Sequence, residues 1–365
     1  MQNGWNLCSA LTLGSAEATD SMQYKNRTLM LSSAIIACLH ACDHDASPST
    51  ADSGSSTAKL LDPPGGAAGA SADVHKKGYV GLFGDGEVGV LDLQTKKIVK
   101  TVPVTAPDGL VVTPDGKQVF VSSTDQGRVV VLSTRDDSVT TSIDVGAKPA
   151  GLTVTADGKH VVASVGGASE AVVIDAESHE IVDHIPVGLA HSSCVTKDGR
   201  FAYVGSQVTD APAVVKVDLT GAMTAQSFAV DKSPRALACE DDGIYFTAVG
   251  LDAVEVLEPE SGKLSDPIET GGSPHDIRRA GDSQIELVVS QTAGDLEFID
   301  MDTHKVVDKV ATGKLAHWIA VSADGKLAYV TNETDDNVAI VDLEARRVME
   351  TFDVGDAPRK IDIQR

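Results

Sequence analysis

Six residues able to do chemistry recur at matched places in the chain: Asp108, His191, Arg235, His275, His317 and Arg359. The first five each stand seven residues before an acidic residue that opens a turn: Asp115, Asp198, Asp242, Asp282 and Asp324. Ala150 holds the same place before Asp157, and Arg359 reaches it by the register of the last strand. Imidazole nitrogens ligate divalent transition metals and exchange protons near neutral pH, while guanidinium groups grip carboxylates and other anions. The whole chain has ten His, so three in one ring of seven exceed what composition predicts. Whether the six meet depends on the elements that carry them.

Those elements are repeats. A hydrophobic run closed by a short polar residue returns every 40 to 43 residues, at Asp92, Ser133, Asp175, Asp218, Glu258, Asp300 and Asp342. Between successive runs come the turns Asp115-Gly116, Asp157-Gly158, Asp198-Gly199, Asp242-Gly243 and Asp324-Gly325, with Asp282-Ser283 in the sixth place. Asp-Gly suits a tight hairpin because Gly takes positive φ without steric cost. Each unit holds four short runs rich in Val and Ile; in the last they are predicted at 317–322, 327–332, 338–342 and 348–354. Four strands per unit, seven units and no helical periodicity predict an all-β fold, a seven-bladed β-propeller of four-stranded blades. The first unit, opening near Gly78, lacks its innermost strand, and 357–363 is a strand without a blade. Docking that C-terminal strand into blade one closes the ring and removes the open edges. The six residues then begin the innermost strands and encircle one mouth of the central channel, where ligand sites lie in such folds.

The last unit reads Ser322-Ala323-Asp324-Gly325-Lys326-Leu327-Ala328-Tyr329-Val330-Thr331-Asn332, with degenerate versions at Phe120-Val121-Ser122-Ser123 and Tyr203-Val204-Gly205-Ser206. On these motifs the chain from about Val74 to Arg365 resembles the YVTN-repeat family of seven-bladed propellers. That family includes exported binding proteins, subunits of quinone- and copper-dependent oxidoreductases and, further off, lactonases and a lyase. Its copper-dependent members gather His at blade-start positions, so the resemblance implies copper or zinc on His191, His275 and His317. His in three blades and Arg in two departs from a multi-copper cluster.

The segments before the repeats read differently. Residues 1–21 are expected to be an upstream extension and 22–42 an export signal. There a basic stretch to Arg27 precedes the apolar Leu29–Ala37 and then Cys38. Ile35-Ile36-Ala37-Cys38 resembles a lipobox in which Cys38 is lipidated, with Cys42 as the alternative. Residues 43–73, rich in Ser, Ala, Gly, Pro and Asp, read as a flexible linker to a propeller over 74–365. The expected location is therefore the periplasm or cell surface of a bacterium, with the membrane touched only through the lipid anchor. Cys194 and Cys239 lie one position out of register on neighbouring innermost strands, where a disulfide and two separate thiols are the alternatives.

Thirty Lys and Arg against 53 Asp and Glu give a net charge of −23, which argues against nucleic acid as a partner. Loops on the mouth side carry Asp85, Glu87, Asp125, Glu170, Asp210, Asp252, Asp295, Asp335 and Asp336. They read as solvated turns, or else as an acidic rim that concentrates cations. No phosphate loop, nucleophile elbow or haem-attachment motif occurs. The expectation is a binding or scaffolding module whose partner is a small molecule, a metal ion or another exported protein. The alternative is a metal-dependent or His-assisted enzyme, a lactonase, lyase or oxidoreductase component using the same ring.

Overall fold

Val- and Ile-rich runs broken by turn residues form strands throughout the computed structural model, which describes residues 76–364. The strands make seven four-stranded sheets, each fully antiparallel, and no helix occurs among the described residues. The innermost strands adjoin one another in a closed circle, with Pro358–Ile363 lying between Ala316–Val321 and Pro107–Val112. The seven-bladed propeller expected from the repeats is the observed fold.

Burial follows position in the blade. The second and third strands are covered on both faces by neighbouring blades and read as continuous apolar runs, such as Val129–Leu132. The outermost strands leave most of their residues exposed, as in Ser138–Asp144. The core is therefore a set of layers between blades: Phe120, Val129 and Val131 of blade 2 pack on Val161, Ala163 and Val172 of blade 3. Ring closure follows the expected pairing, with Gly78 opposite Ile363 and Val80 opposite Ile361.

The hairpins after the innermost strands take their shape from the Asp-Gly pairs. Gly116 has φ 69°, its amide donates to the Thr113 carbonyl, and Asp115 accepts from the Lys117 amide. Two blades depart from the pattern. Gly243 is not in the left-handed region, and in the sixth blade Gly281 takes that conformation, one residue before Asp282.

Two features of the innermost strands place the site. Every one carries a register shift near its start, for example between Pro107 and Leu110 and between Pro274 and Ile277. The second and third residues of each such strand therefore leave the regular ladder, which frees their side chains to be re-aimed. Just before them, non-glycine residues take left-handed φ in five blades: Ala106, Lys148, Ser273, Leu315 and Ala357. Such conformations cost about 1 kcal/mol or more each and persist where the surroundings over-determine them.

Candidate ligand site at the channel mouth

The six residues named from the sequence all lie in these bulged segments, but they meet in pairs rather than as one ring. On the closing side, Arg359 Nη1 donates to Asp108 Oδ1 at 2.8 Å, and its guanidinium lies 3.6 Å from the Phe83 ring centroid. Its Nη2 is 3.7 Å from Glu333 Oε1. The other oxygen of Glu333 is 2.7 Å from His317 Nδ1. His317 Nε2 in turn is 3.1 Å from His275 Nε2 on the adjacent blade. A single chain of polar contacts therefore runs Asp108–Arg359–Glu333–His317–His275.

The remaining two members are set otherwise. His191 Nδ1 donates to the Arg235 carbonyl oxygen at 2.9 Å. Arg235 Nη1 donates to Ser273 Oγ and Gln291 Oε1 at 3.2 and 3.3 Å. Both guanidiniums are thus engaged by the protein, and neither is a bare anion clamp. Among the described residues no three His, Cys, Asp or Glu side chains converge closely enough to hold a metal ion. The three His expected from the sequence do not all converge: His275 and His317 meet, and His191 stands apart. His191 departs because its Nδ1 is tied to the backbone of the next blade.

Electrostatics sorts the imidazoles. Burial pulls the His275 pKa well below the ordinary histidine range, and His317, Arg235 and His191 around it add to the effect. Burial also lowers His191, against the pull of Asp108 and its bond to the Arg235 carbonyl. Both are neutral bases at pH 7. Burial pushes Glu333 upward, but His317 and Arg359 outweigh it and hold the carboxyl below its usual range. The carboxylate close to His317 Nδ1 favours the proton there and leaves the Nε2 lone pair facing His275 Nε2; the carbonyl that accepts from His191 Nδ1 leaves the lone pair of that ring on Nε2.

Trp318 lies beneath the pair. It stacks on His317 at an interplanar angle of 28° and meets His275 edge-on, with centroids 5.3 Å apart. Trp318 Nε1 and His275 Nδ1 are buried without a hydrogen-bond partner.

Glu333 and Trp318 were not singled out from the sequence. The signal for Glu333 was its place directly after the second strand of its blade, where Phe83 and Gln291 also stand and also meet an arginine. The acidic loops are chiefly structural. Asp85, Asp252, Asp335 and Asp336 each accept a backbone amide from the connection between blades. Glu170 meets His184 and Asp295 meets Lys309. Cys194 and Cys239 form a disulfide between the innermost strands of blades 4 and 5, with Cα atoms 5.5 Å apart. Cys38 and Cys42 lie outside the described residues. A cavity of about 210 Å³ between blades 6 and 7, lined by Ala280, Phe298, Leu343 and Arg346, includes none of the site residues.

The fold and these contacts define a class before any individual protein. Residues 190–363, the last four blades and the closing strand, match the family model of YNCE-like β-propellers. The YVTN-type resemblance read from the repeats holds over that span. No curated protein sequence matches the chain. Solved structures share the fold at low identity. Hydrazine synthase of Kuenenia stuttgartiensis aligns with a TM-score of 0.64 and 18% identity, over 72% of this chain and 91% of that one. Apo AztD from Citrobacter koseri aligns with a TM-score of 0.60 and 14% identity, over 80% and 98%. A protein of unknown function from Desulfotomaculum acetoxidans aligns with a TM-score of 0.69 and 13% identity, over 79% and 98%. Proteins of such different description on one scaffold make the site, not the fold, the basis for a function.

Proposed function

We propose that this protein is an exported, lipid-anchored binding module whose ligand site is the channel mouth, with the His275–His317 pair as its recognition element. The observation that carries this reading is the 3.1 Å approach of two imidazole Nε2 atoms from adjacent blades. Two nitrogens each about 2.0–2.1 Å from one zinc ion at a tetrahedral angle lie roughly 3.3 Å apart. The pair is thus spaced to share a single cation, and a divalent transition metal, zinc or copper, is the ligand class it favours. Glu333 supplies the outer-shell carboxylate that orients His317 and raises its basicity. With only two protein ligands, the remaining positions go to water or to donors of a small molecule carried with the metal. The Cys194–Cys239 disulfide supports an oxidising compartment, in keeping with the export signal read in the first 42 residues.

Elemental analysis of protein purified from periplasm, without chelator or affinity His tag, tests the metal. The expected result is bound zinc or copper, or its stoichiometric uptake on titration, lost in His275→Ala/His317→Ala. Protein that is metal-free and ignores added metal overturns the metal reading.

A second reading, an enzyme of lactonase or lyase type, is favoured by one observation. His191 is a neutral base with its Nε2 free, on the strand next to the one carrying Arg235. It requires turnover that His191→Gln abolishes while metal uptake is retained.

A further inference from the structure

At the far end of the ring, away from the mouth, two positions recur in the grooves between neighbouring blades. One stands in the second strand of a blade, where it is Tyr or Phe in blades 1, 2, 4, 5 and 7, Val162 in blade 3 and Leu287 in blade 6. The other lies in the turn before the outermost strand of the next blade and takes left-handed φ. In four grooves the two positions fill the space between blades. Tyr79 donates to Asp137 at 2.8 Å, His179 meets Phe120 edge to face, His304 meets Tyr245 likewise, and Met223 packs on the cluster that holds Val162.

Between blades 6 and 7 they leave room. Leu287 is smaller than an aromatic ring, and Arg346 spans the groove, its guanidinium 5.3 Å from the Phe298 ring centroid. The cavity of about 210 Å³ lies here, walled by Ala280, Ile285, Phe298 and Leu343, with exposed Lys326 and Glu344 at its edge. Its frame is fixed: a Cβ on Gly281 would come 2.9 Å from Gly325 Cα, so the hairpins of the two blades already touch. An apolar cavity of about 150 Å³ takes benzene, so this one has room for a benzene ring bearing a short polar group. Two cations against one carboxylate among the lining side chains favour a negative group there. Arg346 Nη1 lies 3.4 Å from Asp308 Oδ2, a long and solvent-accessible pair that leaves the other donors of the fork available.

We propose that this cavity binds a small aromatic carboxylate, with its ring against Phe298 and Leu343 and its carboxylate on Arg346 and Lys326. Guanidinium groups both pair with carboxylates and stack on rings, which suits Arg346 to such a ligand. The inference is independent of the mouth and of any metal held there.

The test is saturation-transfer NMR of the full chain with benzoate, and with benzyl alcohol as its neutral counterpart. Saturable benzoate binding is expected, and Leu287→Phe, which restores the ring carried by most other blades, should weaken it at least about tenfold by filling the cavity. Arg346→Gln, a change at a partly exposed side chain, should weaken benzoate about tenfold and leave benzyl alcohol unchanged. His275→Ala/His317→Ala should bind benzoate as the parent does. Absence of saturable binding overturns the inference, as does equal affinity in Leu287→Phe and Arg346→Gln. Benzyl alcohol bound as tightly as benzoate overturns the carboxylate, and loss of benzoate in the double histidine variant moves the ligand to the mouth and overturns this site.

Discussion

The two ends of one strand in blade 6 bury polar groups in opposite ways. Pro274–Arg279 carries His275 at the mouth and Arg279 at the far end, beside the hairpin. At the far end Arg279 Nη2 donates to Glu240 Oε2 at 2.7 Å, and its Nε lies 2.9 Å from Glu286 Oε1. Arg279 clamps blades 5 and 6 by opposite charge to Glu240, with the fully buried Glu286, whose burial favours its protonated form, on its other side. At the mouth the corresponding group is the His275 ring, a neutral base whose Nδ1 has no hydrogen-bond partner. At the far end opposite charges meet side chain to side chain, although Arg279 Nε and both Glu286 oxygens lie outside hydrogen-bond geometry, whereas at the mouth a neutral base is buried with its Nδ1 unpartnered. The difference separates a fastening from a recognition site within about 20 Å of chain.

The largest effect belongs to the fastening. Arg279→Met leaves Glu240 and Glu286 facing each other without a cation and should cost about 3–5 kcal/mol of stability, read by denaturant unfolding. Metal uptake by the fraction still folded should be unchanged. A loss below about 1 kcal/mol would show that the clamp is not structural, and the contrast with the mouth would collapse.

The fold was legible from the chain because each blade repeats the same physical solution. Periodic Asp-Gly turns, strand-forming runs and an unpaired terminal strand leave no other way to bury the apolar faces. The mouth was legible as a ring but not as a set of contacts. Register predicts that His191, His275 and His317 stand at equivalent positions, yet the bulge at the start of each strand decides where each ring points. The Arg235 carbonyl therefore takes His191, while His275 and His317 meet. Glu333 was hidden because it sits one residue past a strand end, beside Thr334, Asp335 and Asp336 in a loop that reads as solvated polarity. Trp318 served only to set the chain apart from Trp-Asp propellers, and its place beneath two histidines requires coordinates. The far clamp has no motif at all, since Arg279 and Glu286 come from two strands of blade 6 and Glu240 from the hairpin after the innermost strand of blade 5.

A smaller effect probes how the mouth is tuned. Glu333→Gln keeps the shape and removes the charge that holds the proton on His317 Nδ1. Metal affinity should fall about 10–100-fold, measured by competition with a chromogenic chelator, with unfolding stability changed far less than by Arg279→Met. Unchanged affinity would mean that Glu333 serves only Arg359, and the outer-shell role would be withdrawn.

The subtlest test sets the pH dependence of the two ends against each other. Glu286 is raised well above the ordinary carboxylate value of 4.5, by burial first and then by Glu240. The folded state keeps a proton that the unfolded state releases, so stability is greatest below about 4.5 and falls as pH rises toward the raised value. Glu286→Gln should flatten that limb. His275 is displaced the other way, below 6.5. Its contribution is complete above 6.5 and declines as pH falls, because the unfolded chain then binds a proton that the folded ring refuses. Each limb has a ceiling of about 1.4 kcal/mol per pH unit. Added zinc should distinguish them: protons compete with metal for His275, so the acid limb should steepen. The limb governed by Glu286 should ignore zinc. If both limbs respond alike, the two ends are energetically coupled through blade 6, and the division between fastening and recognition site fails.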